Sequence, residues 1–490
     1  MPNQYKPNPP LDLIRPWMEE YWAMDWDVKK IWIRIRDHHI DKEEYGIGSL
    51  MKEAGLLGVR AQGHTAHTIK PYVENLRTMY PKAGLREMKS LLKHELGVAV
   101  ARDVLWDYFH IYESHLIKFR KGRNLVRKQF WSAGVNDIWA FDQHDKWKYK
   151  FGLALHVCVD PFSGYILWLK IWWTNSNPVL ILSYYTEVVE ETGYVCLVTQ
   201  SDLGTENVGI ANAHTVLRQL HDPTLQGTIQ HRYMAEKKNV MPEIEWSQLR
   251  RRWTPGWEDL LDWGVQQGWY SVENELENFV FRWIFIPLLQ RELDLYRTRK
   301  NYTAKRKDKN KILPHGVPAD INRNPKQYNS ENFSINVNPE HLESVKAQFI
   351  PEGHAVFDLV PPSFNELISN VYEELGKPEV NRSNVWNVYC ILLERIRDVH
   401  AEDIAKHAVE WKKAYSLARE ENWETDKIVA MEGRPLIEEE GYLGGVNGGL
   451  GILDPHTTPF QIPEQPELIL DFPEELNGFY PSSSNGVYIQ

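Results

Sequence analysis

Three acidic residues in different settings define the chemistry open to this chain. Asp142 closes the run Trp-Ala-Phe-Asp at 139–142, Asp202 lies in Ser-Asp-Leu-Gly-Thr-Glu-Asn at 201–207, and Glu245 lies in Pro-Glu-Ile-Glu-Trp at 242–246. The first two follow β-type runs and the third sits early in a helical pattern. Carboxylates brought together from such elements can hold two divalent cations about 4 Å apart, the equipment for cutting and joining phosphodiester bonds. Mg²⁺ or Mn²⁺ takes oxygen ligands and keeps several waters, so two or three carboxylates suffice. In this reading Asp142 bridges both ions, while Asp202 and Glu245 each complete one shell. Singly, an Asp after a strand begins a turn and a Glu in a first helical turn answers the helix dipole. The weight comes from all three in this order of elements. Glu243 is a rival for the third place. Glu245 is preferred because Glu245, Gln248 and Arg252 recur at i, i+3, i+7 as one polar stripe, beside an apolar stripe of Trp246, Leu249 and Trp253.

The elements that must position these acids follow from periodicity. Residues 138–141, 149–159 and 165–173 are rich in β-branched and aromatic side chains, with a Pro-Phe-Ser-Gly turn at 161–164 between the second and third. A helix is expected over 177–191, a buried strand over 194–199, a helix over 210–220, a short strand near 228–230 and a helix over 242–253. Three antiparallel-type strands followed by helix, strand, helix, strand, helix fit a ribonuclease-H-like α/β core better than a repeating βαβ unit. Before this core, residues 11–130 read as helical. Leu85 to Leu96, Gly97, and a second helix from Ala101 give a helix-turn-helix-like unit at 84–114. After it come a long helix from Phe279 to Tyr302, a polar linker at 321–339, and a mostly helical region at 340–430. Residues 1–10 and the acidic, Gly/Pro-rich tail at 431–490 are expected to be disordered.

Composition bounds the partners. The 490 residues are 42% hydrophobic and 25% charged, as in globular proteins, and no run is apolar and long enough to span a bilayer. Three scattered cysteines exclude a disulfide framework. His38, His39, His64 and His67 lack the nearby Cys pair a zinc module needs, so no zinc is expected. The net charge of −11 is unevenly spread. Residues 118–128 hold six Lys or Arg and no acid, 297–311 hold eight with one Asp, and 435–490 hold nine acids with no Lys or Arg. The basic runs flank the proposed site, which makes Lys146, Arg250, Arg251, Arg252, Arg299 and Lys300 candidates for the DNA backbone. The run at 297–311 also has the composition of a nuclear-import signal.

The boxes around Asp142, Asp160 and Asp202 resemble the integrase core of retroviral-type integrases and related transposases. They are most similar to the integrase-core-domain proteins of fungal and animal genomes. Tyr-Pro-Lys-Ala-Gly at 80–84 is similar to the segment that opens their helix-turn-helix, and His-Gly-Val-Pro at 315–318 to the segment that closes their core. The resemblance spans roughly residues 80–320. It implies an Asp142–Asp202–Glu245 triad binding two Mg²⁺ or Mn²⁺ ions, cleavage and strand transfer on double-stranded DNA ends and target, homo-oligomerisation, and residence in the nucleus. Lys146 takes the place of a basic residue after the first acid. The segment before Glu245 departs from the family pattern, which keeps a domesticated, non-catalytic DNA- or chromatin-binding protein as the alternative. A nuclease acting on RNA–DNA hybrids ranks third.

Overall fold

The computed structural model describes residues 10–38, 47–114, 131–202, 204–234, 239–305, 307 and 312–399. Of the disorder expected at 1–10 and 431–490, all but Pro10 lies outside them, as do the basic run at 118–128 and the parts of the expected helical regions at 39–46, 115–130 and 400–430.

A five-stranded mixed sheet occupies the centre, in the order β3-β2-β1-β5-β6. Its strands are β1 (Ile138–His144), β2 (Ala154–Asp160), β3 (Tyr165–Trp172), β5 (Val198–Asp202) and β6 (His231–Met234). β1 pairs antiparallel with β2, and β2 with β3 through the tight turn at 161–164, whereas β1–β5 and β5–β6 pair parallel. Both faces of β1 and β2 are covered. Ile138 to Phe141 and every residue of β2 are buried, so these strands read as unbroken apolar runs rather than as alternating ones. Trp139, Phe141, Trp168 and Trp173 anchor this core. Full burial of even a Phe-sized side chain is worth roughly 1.5–3 kcal/mol.

Seven described helices precede the sheet: α1 (Leu11–Ala23), α2 (Val28–His38), α3 (Ile47–Glu53), α4 (Val59–Gln62), α5 (Lys70–Met79), α6 (Leu85–Leu96) and α7 (Arg102–Tyr112). The α6–α7 pair has the expected boundaries. Met88, Leu91 and Leu92 face inward, and Gly97 at φ 65° ends α6 in the left-handed region. Within and after the sheet come α8 (Lys148–Phe151), α9 (Pro178–Thr192), α10 (Val208–His221), α11 (Val240–Arg252), α12 (Thr254–Gln266), α13 (Glu275–Tyr302), α14 (Pro318–Arg323), α15 (Pro339–Phe349), α16 (Pro362–Glu374) and α17 (Val385–Val399).

Several expected elements differ. The strand expected from 149 begins at Ala154, because Lys148–Phe151 form one helical turn that Gly152 ends at φ 67°. The run at 194–199 is two strands. β4 (Tyr194–Val195) leaves the main sheet to pair with β7 (Ile335–Asn336), and β5 takes up at Val198. The last sheet strand begins at His231, not 228. The helix α12, rich in Trp and Leu, was not anticipated. The Asn- and Pro-rich stretch expected as a linker is bound to the core instead. The Val135 amide donates to the Glu331 carbonyl, the Val135 carbonyl accepts from the Phe333 amide, and Asn136 Nδ2 donates to Asn332 Oδ1. Its asparagines serve as hydrogen-bonding groups of a packed segment, a use that composition alone does not distinguish from a solvated linker.

Candidate active site

Strand register brings the first two acids together. β1 and β5 run parallel with Ala140 opposite Gln200. Two residues further along each strand stand Asp142 and Asp202, level with one another and on the same face, because side chains alternate with period two. Neighbouring strands lie about 4.8 Å apart, so the two carboxyls come within direct electrostatic reach. Burial, then the charge of Asp202, then that of Glu243 push the Asp142 carboxyl up to about 8, against the opposing hydrogen bonds of Gln143 and Trp246. Burial also raises Asp202, whose Oδ1 is buried without a hydrogen-bond partner.

The helix α11 lies over this end of the sheet and is pinned there by side chains. Asn239, fully buried, donates from Nδ2 to the carbonyl of Phe141 at 2.8 Å and accepts from Gln200 at 3.2 Å. Trp246 donates from Nε1 to Asp142 Oδ2 at 3.0 Å and stacks on His144 at 5.0 Å. Asn239, Glu243 and Trp246 fall at i, i+4, i+7, so Glu243 shares the face of α11 that looks at Asp142.

Glu245 is two residues, about 200°, further round the helix. Its Oε2 meets Lys300 Nζ of α13 at 3.0 Å, its Oε1 accepts from Gln248 at 3.2 Å, and Lys300 donates to Gln248 Oε1 at 2.6 Å. The expected stripe of Glu245, Gln248 and Arg252 therefore exists, but it faces protein: Arg252 pairs with Glu87 of α6 at 3.5 Å. The structure thus groups Asp142 and Asp202 with Glu243, and sets Glu245 against Lys300.

The Ser-Asp-Leu-Gly-Thr-Glu-Asn box folds as a stapled turn. Asn207 Nδ2 donates to the carbonyl of Asp202 at 3.3 Å and to Glu206 Oε1 at 3.0 Å. The Glu206 carboxylate lies so close over Gly204 that a Cβ there would fall 1.9 Å from Oε1, which accounts for the glycine. Burial, Asp145 and Asp202 raise the Glu206 carboxyl. This acid, quoted within the box yet given no role from sequence, borders the site.

The basic candidates separate by burial. Lys146, Arg250 and Arg251 are exposed. Lys146 lies within electrostatic range of Arg250, and both act on His144, which burial drives down to about 4 and so keeps neutral. Arg299 is only 4% exposed and is paired with Glu95 at 2.5 Å while stacking over Tyr80. It is part of the packing between α13 and α6 rather than a surface for DNA, and Lys300 is likewise engaged with Glu245. All three basic residues at 297–302 thus make intramolecular contacts, Arg297 with the Leu167 carbonyl and Asp294.

The donor set suits a hard divalent cation: neighbouring carboxylate oxygens, one of them buried without a hydrogen-bond partner, beside an Asp142 raised by burial and by the neighbouring acids. Among the described residues no three His, Cys, Asp or Glu converge closely enough to hold a metal ion as they stand. Binding would have to draw the third acid inward. Among them, too, no helix is long and apolar enough to cross a membrane.

No curated protein matches this chain. One family model does, that of the integrase core domain, over residues 130–322. The match spans the whole five-stranded sheet and both paired aspartates, and the sheet order is that of a ribonuclease-H-like core. Residues 130–322 accordingly carry an integrase core domain, which assigns this part of the chain to the integrase and transposase superfamily.

Proposed function

We propose that this protein cleaves and joins DNA in a divalent-cation-dependent reaction, with Asp142 and Asp202 as the paired ligands and Glu243 as the third acid. Integrase core domains in general use divalent metals and bind DNA. The observation that carries the reading here is Asp142: largely withdrawn from water, level with Asp202, within reach of Glu243, and pushed up to about 8 by burial and then by these two acids. What favours Glu243 over the Glu245 expected from the sequence is its position on the Asn239–Trp246 face, together with the commitment of Glu245 to Lys300.

Divalent cations, when bound, would activate the attacking hydroxyl and stabilise the leaving oxygen. The chain's own residues prepare the site. Asp142 gives up its carboxyl proton on binding, and Trp246 fixes the orientation of that carboxylate through Oδ2. Asn239 fixes the start of α11 against β1, so the helix carrying Glu243 has a set origin. Lys146, Arg250 and Arg251, all exposed, offer charge to the phosphodiester backbone without reading sequence. A chromosomal substrate implies work in the nucleus, tested by following a tagged full-length chain in cells.

The test is incubation of full-length protein with labelled double-stranded DNA ends and Mn²⁺. Wild type should give shortened or joined products, and Asp142→Asn and Glu243→Gln should give less than a hundredth of them. No metal-dependent product from wild type would select the non-catalytic DNA- or chromatin-binding alternative.

A further inference from the structure

α11 presents two glutamates to two different neighbours, and Asn239 and Trp246 hold the rotation that turns Glu243 to the aspartates from one side of the helix only. Glu243 and Glu245 have the same side chain and stand on nearly opposite sides of the helix, about 200° apart. A rotation of about half a turn would exchange them, placing Glu245 at Asp142 and Glu243 against α13. The helix carries buried apolar residues at Pro242, Trp246 and Leu249, a short set with which to hold one rotation.

We propose that the Glu245–Lys300 ion pair, closed by Gln248, is a positioning lock that fixes the rotation of α11 so that Glu243, not Glu245, reaches the Asp142–Asp202 pair. This inference rests on the proposed metal site. The side chains of Glu245 and Lys300 are only 13% and 17% exposed, and Gln248 bonds to both at 3.2 and 2.6 Å. An ion pair this withdrawn from water adds little net stability, because desolvation offsets attraction, but a rotated helix would strand the buried Lys300 charge. Specifying one register among near-equivalent ones is the best attested use of such a pair. The lock also reaches beyond the sheet. Arg252, one turn on, holds Glu87 of α6 at 3.5 Å, and Arg299, beside Lys300, holds Glu95 of the same helix at 2.5 Å. The α6 helix of the amino-terminal region therefore braces both helices that form the lock. Glu245 and Lys300 act through Glu243 and do not touch the reacting atoms.

The experiment compares full-length variants by Mn²⁺ affinity, measured by calorimetry with the metal alone, and by kcat and KM on labelled DNA ends. Lys300→Met should weaken Mn²⁺ binding and lower kcat at least tenfold while changing KM less than threefold, and Lys300→Arg should retain most of both. Glu245→Lys alone should be as impaired, and the exchanged pair Glu245→Lys/Lys300→Glu should recover at least a third of the lost affinity. A glutamate that itself ligated the metal could not be replaced by lysine. An exchanged pair as inactive as Glu245→Lys, with Glu243→Gln retaining Mn²⁺ affinity, would overturn the lock and identify Glu245 as the ligand. Lowered melting temperature in Lys300→Met with unchanged Mn²⁺ affinity and kcat would also overturn it while leaving the proposed site intact, provided Glu243→Gln loses the metal. Should the exchanged pair fail to fold, the contrast between Lys300→Met and Lys300→Arg decides by the same readouts.

Discussion

At the scale of single residues, Asp142 ties function to stability. Its carboxyl is raised to about 8 from an ordinary value near 4, so the folded chain holds this proton more tightly than the unfolded one does. The stabilisation this proton linkage provides is complete below about pH 4 and is lost as pH rises through 8. Without metal, Asp142→Asn should therefore be more stable than wild type at pH 8, by on the order of a few kcal/mol, and nearly equal to it at pH 4. Melting curves in chelator across that range check the prediction, and parallel curves would refute it. Gly204 makes a second case. A Cβ there would meet the far end of a flexible side chain, so Gly204→Ala should cost little stability, about 1 kcal/mol or less. It should nonetheless displace Glu206 from its bond to Asn207, visible in the mutant's crystal structure as a moved carboxylate. The two aspartates were legible in the sequence because each sits in a box with strand character before it. The side of α11 that faces Asp142 was not the side the sequence reading favoured, for a physical reason. Pattern reading on α11 favoured the longer polar stripe, but that stripe faces charged partners on α13 and α6. The discriminating signal, Asn239–Glu243–Trp246 at i, i+4, i+7, mixes an amide, an acid and an indole, and so reads as neither polar nor apolar.

At the scale of elements, close backbone approach decides where the helices can sit. Gly256 of α12 lies against the end of α5, and a Cβ there would fall 2.0 Å from the Met79 carbonyl oxygen. Backbone cannot yield as a flexible side chain does, so Gly256→Ala should destabilise by about 1–3 kcal/mol. Urea denaturation measures this, and an unchanged midpoint would show that the two helices part easily. Arg382 reinforces the contact by donating to the Gly256 carbonyl at 2.6 Å. Most helices and the three antiparallel strands followed from periodicity, turn residues and caps. What did not follow shares one cause, pairing partners far away in sequence. β4 exists because residues 335–336 come to it, and the stretch at 321–339 is ordered because the segment around Val135 and Asn136 bonds to it. Local pattern carries no record of such contacts.

At the scale of the whole molecule, the sheet, α11 and α13 form one apparatus that holds like charges together, and α6 of the amino-terminal region braces it. Such an arrangement is costly until a cation arrives, so binding and folding should be linked. Mn²⁺ at about a hundred times its dissociation constant should stabilise the full-length chain by roughly 2.7 kcal/mol, as a melting-temperature rise that chelator reverses and Asp142→Asn lacks. The most direct measurement is an anomalous difference map from crystals of the full-length chain soaked in Mn²⁺. The account predicts a peak between the carboxylates of Asp142 and Asp202, with Glu243 drawn to it and Glu245 still on Lys300. No peak at the paired aspartates, or a peak ligated by Glu245 with Lys300 released, would contradict it.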